Sequence, residues 1–258
     1  MYTNVPICAK NRKKMTQEEI KNHKIAAKKL GLIKDRAFEF IFSNLGHITE
    51  RDVHDFIVSQ FKKEGMVSDR KIPIQIVAVG SHTDDAHWFA SVKNATIQKN
   101  QLIMIDIWAR NKEGHCPFAD ITWMGYSGTK VPLKIQEIFE KVIFARDLAL
   151  KFIRKELKQK RFPLASEVDK VVRDYFGPLE KHFIHRTGHS LGFTNCHGHS
   201  FRFSKTTRKR IIPDVLFTIE PGLYFKGEFG VRSEIDCYVT SDYRLVVTSG
   251  IQREIKKI

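Results

Sequence analysis

Residues 102–126 read LIMIDIWARNKEGHCPFADITWMGY, and this stretch decides the architecture. Two apolar runs of strand length, rich in isoleucine and aromatics, each carry a single acid, Asp106 in the first and Asp120 in the second. The connection between them, about eight residues containing Gly114 and Pro117, suits an antiparallel pair over Gln101–Ala109 and Phe118–Tyr126. An acid in the middle of an apolar strand is costly unless it is paired or binds a cation. The two strands therefore carry chemistry as well as fold.

Upstream, the β-branched run Ile74–Val79 ends at Gly80 and reads as a third strand. Thr16-Gln17-Glu18-Glu19 fits a capping box and predicts a helix with Ile20, Ala27, Leu30, Phe38 and Ile41 on its apolar stripe, broken near Gly31. A second helix is expected after Thr49, carrying Val53, Phe56, Ile57 and Phe61. Downstream, residues 131–160 form a long amphipathic helical region and Ser166-Glu167-Val168-Asp169 opens another helix. Strands return at Val215–Ile219, Ser233–Thr240 and Arg244–Thr248. Helices, strands, helices and strands in that order imply two similar halves in one α+β domain over residues 16–258, preceded by a basic arm at 1–15.

Two further acids occupy comparable places. Glu220 ends Val215-Leu216-Phe217-Thr218-Ile219-Glu220, just before Pro221-Gly222, and Glu234 sits in Gly230-Val231-Arg232-Ser233-Glu234-Ile235-Asp236. With His189, in Thr187-Gly188-His189-Ser190-Leu191-Gly192, they make a set of four carboxylates and one imidazole. Four converging carboxylates carry a charge that two divalent cations would neutralise. Oxygen-rich ligation with one histidine favours Mn, Co or Fe over a structural zinc, and a pair of bridged ions suits hydrolysis.

On the motifs DIWAR…FADITW, HRTGHSLG, TIEPGLYF and GVRSEID, in that order, the chain resembles the pita-bread metallopeptidases: methionine aminopeptidase, Xaa-Pro aminopeptidase and prolidase. The resemblance spans roughly residues 15–250. It implies two pseudo-symmetric αβ halves around a curved antiparallel sheet. It implies that Asp106 chelates one metal, that Asp120 and Glu234 bridge both, and that His189 and Glu220 complete the second. Two divalent ions follow, Mn first, with Co, Fe or Zn as alternatives. Glu220 would be general base for a bridging water. His87 corresponds to a substrate-contacting histidine, and His197 to one that hydrogen-bonds the substrate carbonyl, with His199 as its competitor. His185 and the Gly-x-Arg-x-Glu pattern around Arg232 resemble the Xaa-Pro branch. Arg232 would either neutralise Asp236 on its own strand face or hold a metal-site carboxylate or substrate group, while His82 reads as structural or solvated.

The chain departs from that pattern in places. Asp106 and Asp120 are 14 residues apart, longer than usual, and Gly198 stands where an acid often follows the second histidine. The large N-terminal domain of the Xaa-Pro enzymes has no counterpart, so the expectation is the catalytic domain alone.

The reading these motifs favour is a dinuclear peptidase cleaving the N-terminal bond of peptides, at Xaa-Pro. The enzyme rival is a methionine aminopeptidase, against which His185 and Arg232 argue. The rival of another class is a non-catalytic pita-bread module that holds RNA or a ribosome. Its motive is charge: 44 Lys and Arg stand against 29 Asp and Glu among 258 residues, a formal +15. The excess is local. Residues 1–35 hold nine basic groups against three acids, residues 146–161 seven against two, and residues 202–210 five against none. The ligand motifs lie outside these segments, so nucleic acid is a secondary partner to peptides.

Cys8, Cys116, Cys196 and Cys237 show no metal or disulfide spacing and read as reduced thiols. Neither a secretory leader nor an 18-residue apolar run is evident, which leaves a cytoplasmic location and no membrane partner as the expectation.

Overall fold

The structure, a computed structural model, describes residues 14–71, 73–90 and 94–258. Most of the expected basic arm, with Lys10, Arg12 and Lys13, and also Cys8, lies outside the described residues. The chain runs α1 (Gln17–Ser43), α2 (Glu50–Lys63), β1 (Met66–Val67), β2 (Ile76–Val79), β3 (Leu102–Asn111) and β4 (Ala119–Tyr126). There follow α3 (Leu133–Lys158), α4 (Ala165–Phe176), β5 (Gly188–Leu191), β6 (His197–Phe203), β7 (Leu216–Ile219), β8 (Gly222–Phe225) and β9 (Phe229–Arg232). The last strands are β10 (Ile235–Val239), β11 (Leu245–Val247) and β12 (Lys256–Lys257). A helix pair followed by antiparallel strands thus occurs twice.

One five-stranded sheet pairs β3 with β1, β2 and β4, and carries β12 parallel to β4 at its edge. The other runs β11-β10-β7-β5-β6, and β8 and β9 form a separate ribbon. The β3–β4 register sets Asp106 opposite Thr122 and Trp108 opposite Asp120. Side chains alternate across a strand, so Ile103, Ile105, Ile107 and Ile121 pack under α1 and α2 with Leu30, Ile33, Phe38, Val53 and Ile57. Asp106, Asp120 and Thr122 therefore turn to the opposite face. In the second sheet Phe217, Ile219, Ile235, Cys237 and Val239 join the core beneath α3 and α4, which turns Thr218 and Asp236 the other way.

The capping box expected at Thr16 forms. Thr16 Oγ1 accepts from the Glu19 amide at 3.2 Å while Glu19 accepts from the Thr16 amide at 2.6 Å. Thr49 and Asp52 repeat the arrangement at the start of α2. At α4 only half a box exists: Glu167 accepts from the Leu164 amide at 2.6 Å, and leucine has no acceptor to return. The break expected near Gly31 is absent. α1 continues through it because Ala27, Leu30 and Ile33 are buried on one stripe, and tertiary packing outweighs the weak helix propensity of a single glycine.

Ser233–Thr240 is not one strand either. β9 stops at Arg232, the Glu234 amide reaches the Thr122 carbonyl at 3.4 Å, and β10 begins at Ile235 against β7. The chain leaves the β8–β9 ribbon there, passes β4 and enters the second sheet.

Glu50 locks the α2 terminus to β2. Its buried carboxylate accepts from the Val79 amide (2.8 Å) and the Ala95 amide (3.0 Å), and contacts His82 Nδ1 at 2.9 Å. This gives His82 the structural role expected of it. Glu50→Ala removes the acceptor from all three groups and is expected to cost about 2–4 kcal/mol, measured as a shift in urea midpoint; a cost below about 0.5 kcal/mol would contradict this account.

Candidate metal centre

The inner faces of the two sheets meet over Asp120, His189 and Glu234, each buried, with one ligand-capable atom apiece all within 4.8 Å of one another. His189 Nε2 lies 3.6 Å from Asp120 Oδ2 and 3.4 Å from Glu220 Oε1. His189 Nδ1–H donates to the Ser190 carbonyl at 3.1 Å, which leaves Nε2 as a lone pair facing the carboxylates. Burial holds this imidazole down to about 3, so it is neutral and fit to ligate.

Gly188 brings β5 this close. A Cβ there would fall 2.1 Å from the Thr218 carbonyl oxygen, so only glycine lets β5 lie against β7. Thr218 in turn accepts from the His189 amide (3.1 Å) and donates to Glu220 (3.1 Å).

Arg232 organises the other side. Its Nη2 pairs with Asp106 Oδ2, its Nε donates to Thr122 Oγ1 at 3.0 Å, and its Nη1 donates to the Ala86 carbonyl and to Tyr224 Oη, each at 3.2 Å. Thr122 passes the interaction on, donating to Glu234 Oε2 at 2.8 Å. Of the two roles foreseen for Arg232, neutralising Asp236 is the one the structure contradicts. The strand is interrupted between the two residues, and Asp236 Oδ2 instead accepts from the Asp120 amide at 3.0 Å.

The carboxylates are poised for a cation. Burial first, then repulsion from Asp106, pushes Asp120 well above the usual carboxylate range. Burial and then Asp120 do the same to Glu234. Burial raises Asp106 despite Arg232, and raises Glu220 to about 7 against the pull of the same arginine. Asp106 Oδ1 and Asp120 Oδ1 are buried without a hydrogen-bond partner. Oxygens deprived of both water and donors are what a hard divalent cation would satisfy, so the donor set fits one.

The expected histidines separate in space. The His197 ring meets His189 edge-on with centroids 4.1 Å apart; among the described residues no such contact ties His199 to the centre. His87 is exposed in the turn beyond the 3₁₀ segment at Gly80–Asp84, and it lies near enough to act electrostatically on both Asp106 and His185. His185 donates from Nδ1 to the Arg186 carbonyl at 2.8 Å and accepts at Nε2 from Tyr224 Oη at 2.9 Å, so both nitrogens are engaged. Thr122, Thr218 and Tyr224 escaped the sequence reading. Thr122 carried a signal, since it lies two residues beyond Asp120 and alternation puts both on one face.

Two sheets, antiparallel except for the β12 edge, each backed by a helix pair and closing on a carboxylate–imidazole centre, define the pita-bread class. The chain belongs to metallopeptidase family M24, whose profile matches residues 25–241. It is 28% identical over 229 residues to an uncharacterized peptidase of Methanocaldococcus jannaschii, covering 86% of this chain and 59% of that one. It is 27% identical over 196 residues to the probable dipeptidase PepE of Mycobacterium tuberculosis, covering 75% and 48%. Among solved structures, a prolidase from Thermococcus sibiricus superposes with a TM-score of 0.81 at 27% identity, over 96% of this chain and 63% of that one. An Xaa-Pro dipeptidase from Bacillus anthracis gives 0.77 at 28%, over 96% and 64%. The chain therefore spans about half to two thirds of the length of these relatives.

Buried carboxylates pushed up from their usual range, Glu220 to about 7, hold on to protons that a cation must displace. Calorimetric titration with Mn²⁺ at pH 7 is expected to release protons, seen as an enthalpy that varies between buffers of different ionisation heat, and affinity is expected to rise with pH as Glu220 passes about 7. A buffer-independent enthalpy would show that the carboxylates are already ionised.

Proposed function

We propose that this chain is a dinuclear metal-dependent peptidase that hydrolyses the N-terminal bond of peptides, at Xaa-Pro. The observation that carries the reading is the convergence of buried, donor-starved carboxylates on the neutral His189, with Arg232 holding Asp106. Asp106, Asp120, His189, Glu220 and Glu234 would hold two divalent ions, Mn in first place and Co, Fe or Zn as alternatives. Bound there, such ions supply Lewis-acid polarisation of the scissile carbonyl and lower the pKa of the attacking water.

Glu220 takes the proton of that water. As general base it holds the proton and returns it to the leaving nitrogen. Thr218 fixes one oxygen of Glu220 and leaves the other for this work. His197, beside His189, donates to the carbonyl oxygen as negative charge develops on it. His87 contacts the substrate from the exposed side, and His185 contributes by fixing the Tyr224 hydroxyl on which Arg232 also leans. The Xaa-Pro assignment is supported by His185 and Arg232 and by the prolidase and Xaa-Pro dipeptidase among the structural neighbours.

Incubation with Xaa-Pro dipeptides and tripeptides and Mn²⁺ is expected to release the first residue, with chelator abolishing the release. Glu220→Gln is expected to lower turnover by at least ~100-fold with Mn²⁺ affinity largely retained. Release of Met from Met-Ala peptides with Xaa-Pro peptides inert would instead establish the methionine aminopeptidase reading. Absence of metal-dependent release from either set would end the catalytic case.

A further inference from the structure

Behind Asp120 lies a set of contacts that none of the proposed catalytic roles uses. Cys196 is buried, and its Sγ lies 3.1 Å from Asp120 Oδ2, the oxygen that faces His189. A thiol has a proton to give and a carboxylate oxygen accepts, so the sulfur is the donor. The Cys196 backbone is itself held from a remote segment: its amide donates to Asp69 Oδ2 at 3.1 Å. The other oxygen of Asp69 accepts from Trp108 Nε1 at 2.9 Å, and Trp108 is the residue paired with Asp120 across β3 and β4. Asp69, Trp108, Asp120 and Cys196 thus close a ring of contacts drawn from four separate stretches of chain.

We propose that Cys196 and Asp69 are positioning residues of the cation centre: Asp69 clamps the Cys196 backbone against β3, and the Cys196 thiol holds the Asp120 carboxylate toward His189 before a cation arrives. The inference rests on the cation-binding reading above and deepens it. Partners behind a ligand fix its orientation, and their loss commonly weakens metal affinity by about 10–100-fold. A sulfur at this place gives a weak donor, which orients Asp120 without competing strongly for its charge. Asp69 also brings an acid to the Cys196–His197 turn, where Gly198 supplies none.

The test is Mn²⁺ affinity, read from the electron paramagnetic resonance of free ion, for wild type, Cys196→Val, Cys196→Ser, Asp69→Ala and the Asp69→Ala/Cys196→Val double variant. Unfolding in chelator verifies that each is folded. Expected are a loss of about 10-fold in Cys196→Val and in Asp69→Ala, recovery to within about three-fold in Cys196→Ser, and a double variant no weaker than the worse single one, as for groups acting in series. A metal-free readout is the Raman S–H stretch: the wild type minus Cys196→Ser difference should contain a band below that of cysteine in water. Cys196→Val binding Mn²⁺ within about two-fold of wild type overturns the proposal and leaves the cation centre standing. A folded wild type that binds no Mn²⁺ overturns both. If Cys196→Val fails to fold, an S–H band at the free-thiol position overturns the proposal by itself.

Discussion

Asp106, Asp120, Glu220, Glu234 and Asp236 share one interior, and among the described residues Arg232 is the guanidinium that pairs with one of them. A second buried guanidinium, that of Arg146, is turned toward Asp147, Ser233 and the Gln252 carbonyl. Burial is the first cause of the rise at all five acids, and mutual repulsion adds to it at four of them: Asp120, Glu220, Glu234 and Asp236. Like charges a few ångströms apart in a dry interior remain ionised only if cations join them; otherwise they take up protons. That constraint explains why the neutral imidazole of His189 and the unpartnered oxygens of Asp106 and Asp120 occur together.

The architecture is what makes such a concentration of acid foldable. β3 and β4 present isoleucines to α1 and α2 and acids to the opposite face, so each strand serves an apolar core and a polar centre at once. The acids are then wired by short polar residues. Thr122 relays Arg232 to Glu234, and Thr218 joins the His189 amide to Glu220. α1 extends the support, because His23 donates to the Phe118 carbonyl at 2.9 Å and accepts from Thr248 at 2.7 Å beside Asp236. Burial lowers His23 to about 4, so this imidazole is neutral and supplies hydrogen bonds, leaving Arg232 as the counter-charge.

What could be read from sequence was whatever local pattern dictates. An acid inside an apolar β-branched run and a Thr-x-x-Glu before a helix announce themselves within a few residues, and Asp106, Asp120, Thr16 and Thr49 were legible for that reason. Choices made by distant partners were not. Gly31 is a helix breaker by propensity, and only the core beneath α1 overrides it. Arg232 and Asp236 share a face if the strand is continuous, and the crossing of Glu234 to the Thr122 carbonyl is what separates them. Cys196 carried no motif at all. Its meaning depends on Asp120, 76 residues away, and on Asp69, 127 away.

Among the described residues, most of the excess positive charge lies away from these acids. Two of the basic segments converge where the chain after α3 meets the loop before β7: the Ala165 amide donates to the Lys209 carbonyl, the Ile211 amide to Pro163, and Arg210 Nη1 to the Phe162 carbonyl. Arg161 and Lys205 find acids there, in Glu156, Glu167 and Glu180, while Lys158, Lys160 and Arg208 face solvent. Exposed charges are screened within about 8 Å at physiological salt, so this periphery does little to neutralise carboxylates buried between the sheets. Surface charge governs solubility and long-range encounter. Neutrality at the centre has to be met locally, by Arg232, by bound protons, or by a cation that replaces them.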